Sequence, residues 1–198
     1  MRRVIALALL ALALPMAAWA DGIDLTNKFG SITISNAGIN TVGSELISFN
    51  GVVAPKNHSL GTVTYNTGKL LTGSIAAGGT FDSTGSSFVV TGRGNFGQPK
   101  GTIFSGSFVG PIDWTLVSQT HQNVVYALTG ELKGQLYSGR TVTGSTTQTI
   151  VSTVGQIRNG VGHITMGSTH LNTPEPGTLG LLGTGLLGIA GASRRKKV

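Results

Sequence analysis

The chain has 198 residues and no cysteine, and its 14 Lys plus Arg against 7 Asp plus Glu give a net charge of +7 and an isoelectric point near 10.2. Without Cys, thiol catalysis, disulfides and Cys-ligated zinc are excluded. The basic balance would suit a nucleic-acid or membrane-surface binder, but Arg2 and Arg3 at one end and Arg194, Arg195, Lys196 and Lys197 with Glu175 at the other carry most of it, leaving residues 21–173 at only +2. No nucleic-acid partner is expected.

Residues 1–20 read as a secretory signal peptide. Arg2 and Arg3 precede an apolar run, Val4 to Leu14, and small residues Ala18 and Ala20 stand three and one positions before an expected cleavage at Asp21. Those 11 apolar residues span only about 16 Å as a helix, well short of a ~30 Å hydrocarbon core.

The body, residues 21–173, is expected to be one domain, since about 150 residues bury a single core without staples. It holds 39 Ser or Thr and 25 Gly, and alternation dominates over helical periodicity. Ser31–Ser35, Thr62–Tyr65, Ile112–Leu116 and Val124–Leu128 place apolar side chains at i and i+2, the pattern of half-buried strands. Turn signals at Asn50-Gly51, Asn66-Thr67-Gly68, Gly78-Gly79, Gly92-Arg93-Gly94, Gly110-Pro111 and Ser138-Gly139 punctuate them. The expectation is an all-β, antiparallel β-sandwich, jelly-roll-like or similar, of about nine to twelve strands. A weak echo between Gly79–Val89 and Gly101–Val109 reads as two similar hairpin-forming segments.

Few residues in the body suggest chemistry. Gly92-Arg93-Gly94-Asn95-Phe96-Gly97 fits G-x-G-x-x-G after a strand, but Gln98-Pro99-Lys100-Gly101 follows where a dinucleotide site needs a helix, so no cofactor is expected. His58, His121, His163 and His170 lack metal-ligand spacing and read as exposed polar residues, and no metal is expected. Asp21, Asp24, Glu45, Asp82, Asp113 and Glu131 show no paired spacing; Asp113 and Trp114, adjacent on a strand, should face opposite sides. One array stands out. Thr141, Thr143, Ser145, Thr147 and Thr149 would line one face of a strand at about 6.6 Å intervals, a hydroxyl ladder able to organise water or bond carbohydrate. High Thr strand propensity on a solvent face accounts for the same pattern.

At residues 174–198, Pro174-Glu175-Pro176 precedes the uncharged stretch Gly177 to Ser193, whose 17 residues make about 26 Å of helix, just long enough to span a bilayer. Arg194, Arg195, Lys196 and Lys197 then form a cytoplasmic stop, which places everything before Gly177 on the outer face. The prolines favour an extended, accessible stalk. Gly180, Thr184, Gly188 and Ala192 form a small-residue stripe on the expected helix. This tail resembles the PEP-CTERM sorting signal of bacterial exported proteins. The resemblance implies recognition of Pro174, Glu175 and Pro176 by exosortase, a transpeptidase-like membrane enzyme, and removal of the tail as the body passes to the cell surface or matrix. Similar C-terminal modules also carry an ice-binding-protein C-terminal label, which describes the tail alone. The resulting expectation is a non-enzymatic surface or matrix component. An exopolysaccharide- or ice-binding module is the alternative, and a carbohydrate-active enzyme the third reading.

Overall fold

Apolar residues at every second position, interrupted by Gly and Asn turns, produce thirteen antiparallel strands in the computed structural model, which describes residues 22–173. They are β1 Gly22–Lys28, β2 Ser31–Ser35, β3 Gly38–Val42, β4 Ser44–Phe49, β5 Val52–Val53, β6 Gly61–Asn66, β7 Leu70–Ser74, β8 Gly78–Phe81, β9 Ser87–Arg93, β10 Lys100–Gln119, β11 Asn123–Leu136, β12 Thr141–Thr153 and β13 Val161–Asn172. One short helix, α1 Val154–Arg158, joins β12 to β13; the Thr153 hydroxyl caps it by accepting from Gln156 N at 3.1 Å. The signal helix expected at 1–20 and the transmembrane helix expected at 177–193 lie outside the described residues.

The expected sandwich is corrected by strand pairing. The ladder β1-β4-β6-β9-β10-β11-β12-β13 returns to β1, so eight strands close into an antiparallel barrel instead of two stacked sheets. The β2–β3 hairpin makes a second bridge: β13 pairs β1 over Gly167–Asn172 and β2 over Val161–His163, while β3 meets β6 at Asn66. Closure removes the free edges of those eight strands, while short β5 and β7 each pair on one side only. Inward glycines let the wall curve and approach itself. A Cβ on Gly61 would lie 1.8 Å from Thr91 O, and one on Gly144 2.0 Å from His170 O.

An eight-stranded barrel is just wide enough for side chains to fill, and here they do. Tyr65, Phe88, Phe104 and Phe108 form an aromatic cluster, with Tyr65 stacked on Phe88 at 5.8 Å and Phe108 edge-on to both. Leu25, Leu46, Val63, Val90, Leu128, Leu132, Val142 and Ile150 complete the packing. Trp114 stacks on Tyr126 at 4.4 Å; its Nε1 donates to Ile75 O at 2.8 Å while Tyr126 OH donates to Ala76 O at 2.7 Å, which ties down the turn of the β7–β8 hairpin. Asp113 is exposed beside buried Trp114, as strand geometry requires.

Two turn signals fall off the chain reversals themselves. Gly110-Pro111 sits inside β10, where the pairing with β11 shifts register between Val109 and Asp113, and Gly78-Gly79 starts β8 after a turn at Ile75–Ala77. Gly110, with positive φ, serves a strand irregularity, whereas Gly78, also with positive φ, pairs with Ser74 and closes the hairpin just after its turn. The second half of the apparent echo, Gly101–Val109, likewise lies within one long strand.

Candidate functional site

On β12 the two faces are chemically distinct. Thr141, Thr143 and Thr147 are exposed, and Ser145 and Thr149 half-buried, so the ladder residues share the outer face of the barrel wall. Beside them in register stand Lys133, Glu131 and Thr129 on β11 and Asn172, His170 and Ser168 on β13. The ladder is therefore flanked by charged or amide side chains at Thr143 and Ser145 and by the hydroxyl residues Thr129 and Ser168 at Thr147, on a closed, twisted wall. Thr147 Oγ1 meets Thr129 Oγ1 at 3.5 Å.

The opposite phase of β12 holds what sequence reasoning missed. Thr146 and Gln148 point inward among apolar neighbours and are buried. Asn27 Nδ2 of β1 donates to Ser44 Oγ at 2.7 Å and to Gln148 Oε1 at 2.8 Å; Gln148 Nε2 donates back to Asn27 Oδ1 at 3.2 Å and to Thr146 Oγ1 at 2.8 Å. Thr146 Oγ1 also meets Thr169 Oγ1 at 2.8 Å. This satisfied network ties β1, β4, β12 and β13 together where the barrel closes, which makes it a structural clasp. Polar residues in the apolar phase of an alternating strand were the available signal; their partner, 121 positions away, was not.

The histidines are all exposed. His170 Nδ1 lies 2.6 Å from Asp24 Oδ1 across the β1–β13 pair, and this hydrogen bond raises its pKa above the ordinary imidazole value. His58 stacks against Phe96 at 6.0 Å. His163 borders an open cavity of about 580 Å³ with Phe29, Gly30, Ser31, Ile164 and Thr165. Among the described residues no three His, Asp or Glu side chains are grouped to hold a metal ion. The G-x-G-x-x-G segment runs from the last two residues of β9 into the hairpin loop to antiparallel β10, a connection with no helix to receive a pyrophosphate. Among the described residues no carboxylate pairs directly opposite another in the strand registers, and Asp113 and Glu131 lie on the exposed outer wall.

Inside the barrel, burial holds the Tyr65 phenol in its protonated form, its pKa raised far above the usual range. Its hydroxyl faces that of Thr41, and neither makes a hydrogen bond of normal geometry.

Both ends of the described chain leave the same end of the barrel, because Gly22 and Asn172 pair with each other. Signal-cleavage residues Ala18, Ala20 and Asp21, sorting residues Pro174, Glu175 and Pro176, and stop residues Arg194, Arg195, Lys196 and Lys197 lie outside the described residues. No curated protein and no solved structure matches the chain. Residues 172–196, beginning at the last residue of β13, match the PEP-CTERM protein-sorting motif. The chain thus carries a PEP-CTERM sorting signal on a closed β-barrel, and that signal marks it as an exported substrate of exosortase.

Proposed function

We propose that the protein is a non-enzymatic component of the cell surface or extracellular matrix, delivered by cleavage after Ala20 and sorted at Pro174-Glu175-Pro176. In this reading Gly177 to Ser193 spans the membrane until exosortase acts, Arg194 to Lys197 remain cytoplasmic, and the barrel is the cargo. The observation that carries it is the motif match beginning at Asn172, where the last strand of a filled barrel ends. The barrel interior is occupied by side chains, which favours a structural or interaction role over a lumen-based activity. In an exosortase-deficient strain the full-length form should accumulate in the membrane fraction; an unchanged mature C-terminus by mass spectrometry would sink the sorting reading. The expected mature N-terminus is Asp21.

A second reading, a module for exopolysaccharide or ice, is favoured by the outward placement of Thr141, Thr143 and Thr147. Charged and amide neighbours on both flanking strands suit a glycan better than an ice plane. Loss of exopolysaccharide retention in a Thr143→Val, Thr147→Val double variant supports this reading. Absence of retention in the wild type removes it.

A further inference from the structure

The barrel's charge is polarised along its axis. The end from which Gly22 and Asn172 leave is built by the loops spanning 50–60, 93–100 and 136–141, as the pairings Gly61↔Gly92, Lys100↔Arg93 and Gln135↔Thr141 establish. Those loops expose Lys56, Arg93, Lys100 and Arg140 and contain no Asp or Glu. They also expose Val52, Val53, Phe96 and Tyr137. At the far end Lys28, Lys69 and Arg158 are offset by Glu45, Asp82 and Asp113. Beside the rim, exposed Asp24 is hydrogen-bonded to His170 and its backbone carbonyl accepts from Asn50 N, while Lys133 and Glu131 offset each other on the wall, so the four rim cations outnumber the one described carboxylate at that end.

That rim cannot stray far from a membrane that holds the tail. From Asn172 to Gly177 the chain takes five steps, at most about 18 Å when fully extended. Long cationic side chains and a Debye length of about 8 Å bring a lipid surface within electrostatic reach over much of that distance. Cations near an anionic leaflet each strengthen association by about fivefold, and exposed aromatic and branched side chains suit the headgroup boundary.

We propose that this rim is a membrane-docking face that seats the barrel on anionic lipids in the outer-facing leaflet of the membrane holding its tail, with Lys56, Arg93, Lys100 and Arg140 meeting lipid phosphates. Phe96 and Tyr137 enter the interface between them. Docking sets the barrel's orientation while the Pro174-Glu175-Pro176 stalk is presented for processing, and it weakens with salt. The proposal rests on the reading of Gly177 to Ser193 as a membrane span.

Because the chain has no cysteine, single-cysteine variants of the full-length protein give clean probe sites. Fluorophores at Ser138→Cys and Val53→Cys report the rim, those at Leu71→Cys and Val117→Cys the far end, and one at Leu186→Cys the tail. In phosphatidylcholine vesicles with about one third phosphatidylglycerol, rim probes should be quenched by headgroup-nitroxide lipid and shielded from acrylamide at least about threefold more than far-end probes. The difference should collapse in pure phosphatidylcholine, at high salt, and in a Lys100→Glu, Arg140→Glu variant. Equal exposure of rim and far-end probes on anionic vesicles overturns the proposal, as does shielding that survives the charge reversal. Shielding by a soluble acidic polysaccharide but not by vesicles also overturns it. The Leu186→Cys probe tests the tail alone: its exposure to acrylamide refutes the membrane span, while the rim comparison still decides docking.

Discussion

Gln148 shows how one side chain can specify a barrel's closure. Its amide and that of Asn27 exchange hydrogen bonds inside the wall, and a Cβ on Gly167 would sit 2.1 Å from Gln148 Oε1 and 2.2 Å from Asn27 Oδ1, so only Gly leaves room for the pair. Replacing Asn27 or Gln148 singly with Leu strands a buried amide and should cost about 1–3 kcal/mol. The Asn27→Leu, Gln148→Leu double variant should cost less than the two single changes together in urea melts. Strict additivity would mean that the pair does not act as a unit. Asp24 and His170 make a second contact across the same strand pair, this time in solvent. Since folding raises the His170 pKa, its contribution to stability is fully present below the unfolded value of about 6.5 and fades as pH rises through the higher folded value. Exposure and screening keep it small. An NMR titration should show the His170 midpoint fall in Asp24→Asn and move little in Glu131→Gln.

At the scale of elements, the β7–β8 hairpin hangs on two hydrogen bonds from Trp114 and Tyr126 to backbone carbonyls of its turn. Tyr126→Phe removes one of them while keeping the ring stack, and should cost about 1 kcal/mol and speed amide exchange within Leu70–Phe81 relative to the barrel strands. The β6–β9 contact is less forgiving. A Gly61→Ala side chain would meet Thr91 O at 1.8 Å, so the ladder must part, and we expect a loss of about 3 kcal/mol by thermal melting. Strands themselves were legible from alternation: Ser31–Ser35 is β2, and Thr62–Tyr65, Ile112–Leu116 and Val124–Leu128 lie within β6, β10 and β11. Their lengths were not. β10 runs through Gly110-Pro111 because a bulge absorbs that pair, and local turn propensity does not reveal whether a neighbouring strand will keep pairing across it.

For the whole molecule, the barrel completes itself between Gly22 and Asn172, with its core and its closing clasp inside those bounds. Removal of the sorting tail should therefore leave stability almost untouched: a chain ending at Thr173 should melt within a degree or so of the full-length protein in the same detergent, since no described core residue is lost. A large drop would show that residues beyond Thr173 contribute to the fold. The candidate surface features divide along the same lines. The Thr ladder was readable because strand periodicity alone assigns Thr141, Thr143 and Thr147 to one face. The basic rim was not, because Lys56, Arg93, Lys100 and Arg140 are dispersed over 85 positions and meet only when three connections converge at one end.

The sequence by itself determined the destination: a sorting signal acts as a short contiguous segment, so its residues carry the same chemistry before and after the body folds. It also determined the β class, since side-chain alternation is a local property of an extended chain. Only the tertiary structure decided that the sheet closes. The choice between barrel and sandwich depends on whether β1 finds β13 and β6 finds β9, pairings between residues far apart in the chain. Inward glycines and one buried amide pair favour those pairings over stacked, open sheets.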